Sequence, residues 1–311
     1  MTFRSAFKIL LSSFRYVWNV LVYMLVVLAV VTAAAVPVFG ALYRELAVAG
    51  TLDALGEALY GFLSGQTIAA TYERIVQILA DAKQTLVGNG SNVVTSVYIF
   101  AAAAVILFRF LFSLHEIPMM KVTEGIMSDN ARYGFTGTYL GLFGKSALYS
   151  LLKTLVGAAY TALSLLIIIP LSGWLGSISF LFVPVGLAGA VLILKTVKHT
   201  FIAAWGARYT VDGGGVAGSL GYSLKFGAKH FGPMASTYFI AWVLILTVNV
   251  LVGLFTFLFG LLITIPASVL FMNILNMTFY YSRNDKSYYL DGKVVVQSHS
   301  EKTETPEPEI R

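Results

Sequence analysis

Between Met234 and Tyr281 the chain runs for 48 residues without one Asp, Glu, Lys, Arg or His. A helix rising about 1.5 Å per residue covers the roughly 30 Å hydrocarbon core of a bilayer with about 20 residues, so this run suffices for two crossings. It places the protein in a membrane before anything else is considered. It also restricts the chemistry, because a double span without ionisable side chains holds neither a proton relay nor a site for a charged substrate.

Composition extends this reading to the whole chain. Hydrophobic residues make up 58% and charged residues 12% of the 311, with a mean hydropathy of +0.79. Soluble domains carry about 25% charged residues, roughly twice as much. Zero cysteines exclude disulfides, thiolate nucleophiles and Cys-ligated metals. Arg4, Lys8 and Arg15 precede an apolar stretch from Val17 to Leu42. That stretch is too long for the core of a cleaved signal peptide and is expected to be an uncleaved first span.

A 19-residue hydropathy window gives six candidate spans, near residues 17–42, 93–114, 154–174, 177–194, 235–257 and 260–281. Basic residues accumulate on the cytoplasmic side of membranes, which tests the count independently. With the N-terminus inside, 18 of the 21 Lys and Arg fall in cytoplasmic segments or the tail; only Arg44, Arg74 and Lys83 fall outside. The expected fold is therefore an all-α, polytopic helical membrane protein with six transmembrane helices and both termini cytoplasmic. Residues 1–281 form the membrane domain and 282–311 a cytoplasmic tail, with Tyr288 to Val296 able to pair as short strands and a disordered end. The net charge of +6 suits anionic lipid headgroups at the cytoplasmic face, and no feature calls for nucleic acid.

The long external segment, 43–92, reads as an amphipathic helical hairpin. Ile68, Tyr72, Ile75, Leu79, Ala82 and Leu86 recur at helical spacing, Glu73, Arg74, Asp81 and Lys83 take the other face, and Gly88-Asn89-Gly90 ends the helix. A weaker stripe of Leu52, Leu55, Leu59 and Phe62 precedes it. The hairpin either packs on the protein's own spans or presents a surface to a protein partner. Two cytoplasmic elbows, 115–153 and 195–233, are the other partner surfaces expected. They share short words: Ala131-Arg132-Tyr133 recurs as Ala207-Arg208-Tyr209, and Leu140-Gly141 with Lys145 recurs as Leu220-Gly221 with Lys225. The stretch from Ser5 to Arg15 resembles Ser219 to Lys229, which suggests a threefold plan of elbow helix plus span hairpin.

Motifs for chemistry are thin. Gly213-Gly214-Gly215-Val216-Ala217-Gly218 fits a dinucleotide fingerprint by letters, but it lies between membrane spans instead of opening a βαβ unit, so it is expected to be a turn. His115-Glu116 starts like a zinc-protease helix, yet Met119 stands where the second ligand belongs. Asn89-Gly90-Ser91 matches a glycosylation sequon with no other sign of a secretory route. No catalytic, cofactor-binding or metal-binding residues are assigned, and no cofactor is expected. The low-key polar residues within spans default to interhelical packing. Asn249, near the middle of its span, and Asn273 in the last span are the candidates for contact with a substrate. Trp174, at the outer interface, and Trp18 and Trp205, at the inner one, read as headgroup anchors.

The basic elbows leading into span hairpins, the Gly260-Leu-Leu-Ile-Thr-Ile-Pro266 opening of the last span and its aromatic exit at Phe279-Tyr280-Tyr281 resemble a broad group of uncharacterised bacterial six-span membrane proteins. That group is sometimes placed with the membrane domains attached to glycerophosphodiester phosphodiesterases. The resemblance implies a bacterial plasma membrane location and brings no catalytic or binding residues with it. The function expected is a non-enzymatic scaffold or accessory subunit of a membrane complex. The alternative is a transporter or permease for a small neutral or lipid-like substrate, and an enzyme is not expected, since the spans offer no acid, base or nucleophile.

Overall fold

The computed structural model describes residues 2–88, 91–128, 133–178, 182–290 and 294–296. The sequon residues Asn89 and Gly90, Ala131-Arg132 of the repeated word, and the tail from residue 297 lie outside the described residues.

Among the described residues, six helical stretches are long and apolar enough to cross a bilayer: Tyr16–Val36, Ile99–Ser128, Phe143–Ile178, Val183–Val211, Phe231–Phe255 and Leu261–Arg283. The protein is an integral, multi-pass, helical membrane protein. Among the described residues the helices are α1 (Thr2–Ser12), α2 (Tyr16–Val48), α3 (Thr51–Leu63), α4 (Ile68–Gly88), α5 (Ser91–Ser113), α6 (Glu116–Ser128), α7 (Phe135–Gly141), α8 (Phe143–Ile178), α9 (Phe182–Val211), α10 (Val216–Lys229), α11 (Phe231–Phe255) and α12 (Leu261–Arg283). Two short strands follow, β1 (Tyr288–Tyr289) and β2 (Val295–Val296), paired antiparallel with Tyr288 opposite Val296.

Helices α8 and α9 exceed what a bilayer needs, as does the 33-residue α2. At about 1.5 Å per residue, α8 with its 36 residues is roughly 54 Å long and α9 with its 30 is roughly 45 Å. Lys145 and Lys153 fall in the first third of α8 and Arg208 in the last turn of α9, so the excess length lies at one shared end of the helices. Much of the two expected elbows is thus a straight continuation of the spans, because a lysine interrupts a hydropathy window but not a helical backbone. Pro170 and Pro266 sit inside α8 and α12.

The chain divides into two compact units, residues 1–25 with 110–311, and residues 26–109. In the first, the core gathers where α2 and α11 begin and α9 and α12 finish, here termed the basal end. Ile9, Val20, Met119, Met120, Met127, Ala203, Ala207, Met234, Tyr238, Leu275 and Phe279 are buried there together. The amphipathic α1 buries Ala6, Ile9 and Leu10 in it and packs on α12. The central element is α12, from Pro266 and Leu270 onward buried almost without interruption to Tyr281. Trp205, expected at the headgroup level, is instead fully buried, while Trp18 and Trp174 are exposed.

The glycine-rich stretch is a turn only from Asp212 to Gly215, with Gly213 in the left-handed region (φ 67°); Gly218 already lies within α10. Gly227 marks the tightest approach of α10 to α9, since a Cβ there would lie 2.5 Å from the Thr200 carbonyl oxygen and 2.9 Å from the Phe201 Cα. At the opposite, distal end, residues 256–260 join α11 to α12 with Phe257 (φ 49°) and Leu258 (φ 73°) both left-handed. The Thr256 hydroxyl oxygen accepts the Gly260 amide N–H at 2.7 Å and helps close this turn.

In the second unit α3 and α4 form a helical hairpin joined by residues 64–67, with an ion pair of Arg74 to Glu57 at 2.9 Å. The buried and half-buried face of α4 is Thr71, Ile75, Ile78 and Ala82, rotated from the stripe expected: Ile68, Tyr72 and Leu79 point outward. Small Thr71 and Ala82 admit close contact where bulkier Ile68 and Tyr72 would hold a neighbouring helix off.

Candidate functional site

The structure concentrates its ionisable side chains around the basal ends of α6, α8 and α9. The chain breaks after α5 at Leu114-His115 and restarts with Glu116, so that Glu116 stands at the first turn of α6, a favourable place for a carboxylate. Its side chain, only 11% exposed, is ion-paired with Lys153 of α8 and accepts a hydrogen bond from the Tyr149 hydroxyl at 3.3 Å. Tyr149 and Lys153 are four residues apart, hence on one face of α8. The Tyr149 ring meets Trp205 edge-on at 5.0 Å and stacks on Tyr209 at 6.2 Å. The Trp205 indole N–H donates to the Val216 carbonyl at 2.9 Å. One continuous set of contacts therefore ties α6, α8, α9 and the start of α10. Burying the pair is tolerable because the carboxylate has both an ammonium and a hydroxyl donor.

His115 next to it is wholly buried. Its Nδ1 faces the Phe112 carbonyl, an acceptor only, so Nδ1 carries the proton, and Nε2 has no hydrogen-bond partner. Tyr23 of α2 packs over the imidazole at 5.2 Å. The ring, at a helix break, is walled in by its own backbone and by α2.

Further along α9, Lys153, Lys195 and Lys198 all act electrostatically on the His199 imidazole. Lys195 lies over the Trp242 ring at 4.7 Å and Lys198 over the Tyr160 ring at 5.7 Å. His199 itself packs against Tyr238 at 5.5 Å and Trp242 at 5.3 Å. The buried Trp242 Nε1 has no hydrogen-bond partner, nor has the Thr154 hydroxyl on α8.

A second polar group fastens the basal ends of α9, α10 and α12. Asp212 accepts from the Tyr280 hydroxyl and from Lys286 Nζ at 2.9 Å, Arg208 lies 4.1 Å from the Tyr222 ring, and the Tyr222 hydroxyl donates to Asn284 at 2.5 Å. Partial burial works to raise the Asp212 pKa. The bonds from Tyr280 and Lys286 and the charge of Arg208 outweigh it and hold the carboxyl below its usual range.

Asn249 and Asn273 do not come together. Asn249 accepts from the Thr264 hydroxyl at 2.6 Å and donates to Ile245 O at 2.8 Å and Ser268 Oγ at 3.3 Å, which makes it a staple between α11 and α12. Asn273 is nine residues beyond Thr264, about 13 Å along α12 and about 180° round it. It is buried, with its Nδ2 unpartnered, while neighbouring Asn276 accepts from Tyr238 at 2.7 Å. Beside Thr264 and Ser268 opens an apolar crevice of about 180 Å³, lined also by Phe7 and Leu10 of α1 and by Leu244, Ile245 and Phe271. Among the described residues no three His, Asp or Glu side chains group as metal ligands.

The Glu116–Lys153 pairing spans 37 positions and left no local signal; the only hint was an acidic residue beginning a basic segment. The chain matches no protein-family model, no curated protein and no solved structure.

Proposed function

We propose that this protein is a non-enzymatic scaffold or accessory subunit of a membrane complex, seated in a bacterial plasma membrane with its basal end and both termini in the cytoplasm. The observation that carries the proposal is the distribution of order along the helices. Asn249, the candidate substrate contact on α11, is occupied by Thr264, Ser268 and its own helix, whereas the packed core and the ion-pair networks gather at the basal end. A protein built to hold partners needs a firm platform at one end. The 18 basic residues assigned inside support the orientation. The short helices α1, α7 and α10, each leading into a span, support the threefold plan of elbow and hairpin.

Mild cross-linking of native membranes followed by purification and mass spectrometry tests this reading. Defined partners cross-linked to α10 or to the basal part of α8 are expected. A reproducibly solitary protein overturns it. The crevice beside α1 favours a second reading, a permease for a lipid-like molecule, because its lining is almost wholly apolar. Movement of a fluorescent lipid across proteoliposomes, abolished by Ala267→Trp in that lining, would support the permease and displace the scaffold.

A further inference from the structure

The lysines around His199 stand at an unusual depth. Lys195 is 13 residues from Phe182, where α9 begins, and Trp242 is 13 residues from Phe255, where α11 ends. Both therefore lie about 20 Å from the distal end, roughly 10 Å short of the basal edge of a 30 Å hydrocarbon layer. Ionisable groups at such depth are costly unless they meet a partner. Glu116 serves Lys153. Lys195 is exposed on the bundle surface and forms no ion pair among the described residues; its contact is the π face of Trp242.

Two buried groups beside these lysines lack a partner. The Trp242 indole N–H can only donate, and it sits in the ring that Lys195 covers. The Thr154 side chain, 5% exposed, precedes by one turn the place on α8 where Lys198 Nζ arrives, 3.6 Å from a Cβ built on Gly157. An oxyanion resting there receives a hydrogen bond from each and a charge-assisted bond from each lysine. A neutral ligand would leave Lys195 uncompensated, and a cation would be repelled.

The geometry points to a binding site for the phosphate of an anionic phospholipid, between α8, α9 and α11, made by Lys195 and Lys198 with the Trp242 N–H and the Thr154 hydroxyl as donors. The bilayer is the source because Lys195 opens to the side of the bundle below the basal hydrocarbon edge. The roughly 10 Å that remain are bridged by a locally thinned leaflet.

Native mass spectrometry of the full chain, extracted in mild detergent with equal amounts of phosphatidylglycerol and phosphatidylcholine, tests the assignment. The wild type is expected to retain phosphatidylglycerol selectively. Lys195→Ala and Trp242→Phe, the latter keeping the ring but deleting the donor, are each expected to lower retention about tenfold. Arg4→Ala on α1 is the control and leaves retention unchanged. Should Lys195→Ala fail to elute as a folded species, Lys195→Gln, which keeps the stem, takes its place. Equal retention of the two lipids, or wild-type retention in Trp242→Phe and the lysine variant, overturns the site. Displacement of the lipid by millimolar inorganic phosphate would assign the pocket to a free anion and overturn the lipid source.

Discussion

Gly227→Ala is the most sharply defined perturbation that the packing allows. The added methyl would stand 2.5 Å from the Thr200 carbonyl oxygen, against 3.4 Å for the onset of ordinary contact. The obstacle is backbone of α9, so no rotamer change relieves it, and α10 must retreat by the 0.9 Å between those values. One turn earlier, on the same face, the Ser223 hydroxyl donates to the Phe201 carbonyl at 2.8 Å; the same retreat stretches that bond to about 3.7 Å and breaks it. Overpacking costs about 1–3 kcal/mol and the lost hydrogen bond about 0.5–1.5 kcal/mol, while alanine returns about 1 kcal/mol of helix propensity. The net expectation is a loss of about 2 kcal/mol. Gly221, in the same helix, has nothing within 4 Å of its Cβ position, so Gly221→Ala is expected to gain about 0.5–1 kcal/mol. Unfolding in mixed micelles titrated with SDS, followed by the near-ultraviolet signal of buried Trp205, measures both. If the two variants shift the midpoint alike, the close approach of α10 to α9 is not what holds this end together.

Glu116→Gln leaves Lys153 without its countercharge and is expected to lose about 2 kcal/mol, below the usual 3–5 kcal/mol for a broken buried pair because Lys153 is 22% exposed. The double variant Glu116→Gln with Lys153→Met is expected to recover most of that in the same titration. Asn249→Leu removes two interhelical hydrogen bonds and is expected to cost about 1 kcal/mol, at about 0.6 kcal/mol each, with partner cross-links unchanged. Asp212 has a depressed pKa in the folded protein, so its stabilising contribution is complete above the unfolded carboxylate value near about 4 and is lost as pH falls through the folded value. The melting midpoint is expected to fall on acidification, and Asp212→Asn to flatten that dependence; an unchanged slope refutes the linkage.

The membrane-crossing helices were legible because a bilayer imposes a length and an apolarity that any window can count. Their ends were not. Lys145 and Lys153 cut the hydropathy of span three at about residue 154, yet α8 starts at Phe143, because charges stop insertion and not helix propagation. The face of α4 was misjudged for a related reason: apolar size marked Ile68 and Tyr72, while packing chose small Thr71 and Ala82. Asn249 was readable as a polar residue within a span but not as a staple, since its partners Thr264 and Ser268 reach it only once the hairpin folds back. Burial of Trp205 and His115 depended on α10, α2 and α8 arriving from distant sequence, and no local pattern announces that.

The distal turn sets the depth at which the α11–α12 hairpin rides. Two non-glycine residues held left-handed, Phe257 and Leu258, each store about 1–3 kcal/mol of backbone strain. The same conformation fans Phe255, Phe257, Leu258 and Phe259 outward as four bare apolar side chains. In water that arrangement would be doubly unfavourable, but in the far leaflet the rings recover more than the strain costs, at about 1.5–3 kcal/mol for each large side chain removed from water. Sliding the hairpin by one helical turn, about 5.4 Å, toward the aqueous phase would strip that compensation. The turn is thus an anchor whose hold exists only inside the lipid. It fixes α12, and with it the whole basal core, at one height relative to the membrane plane.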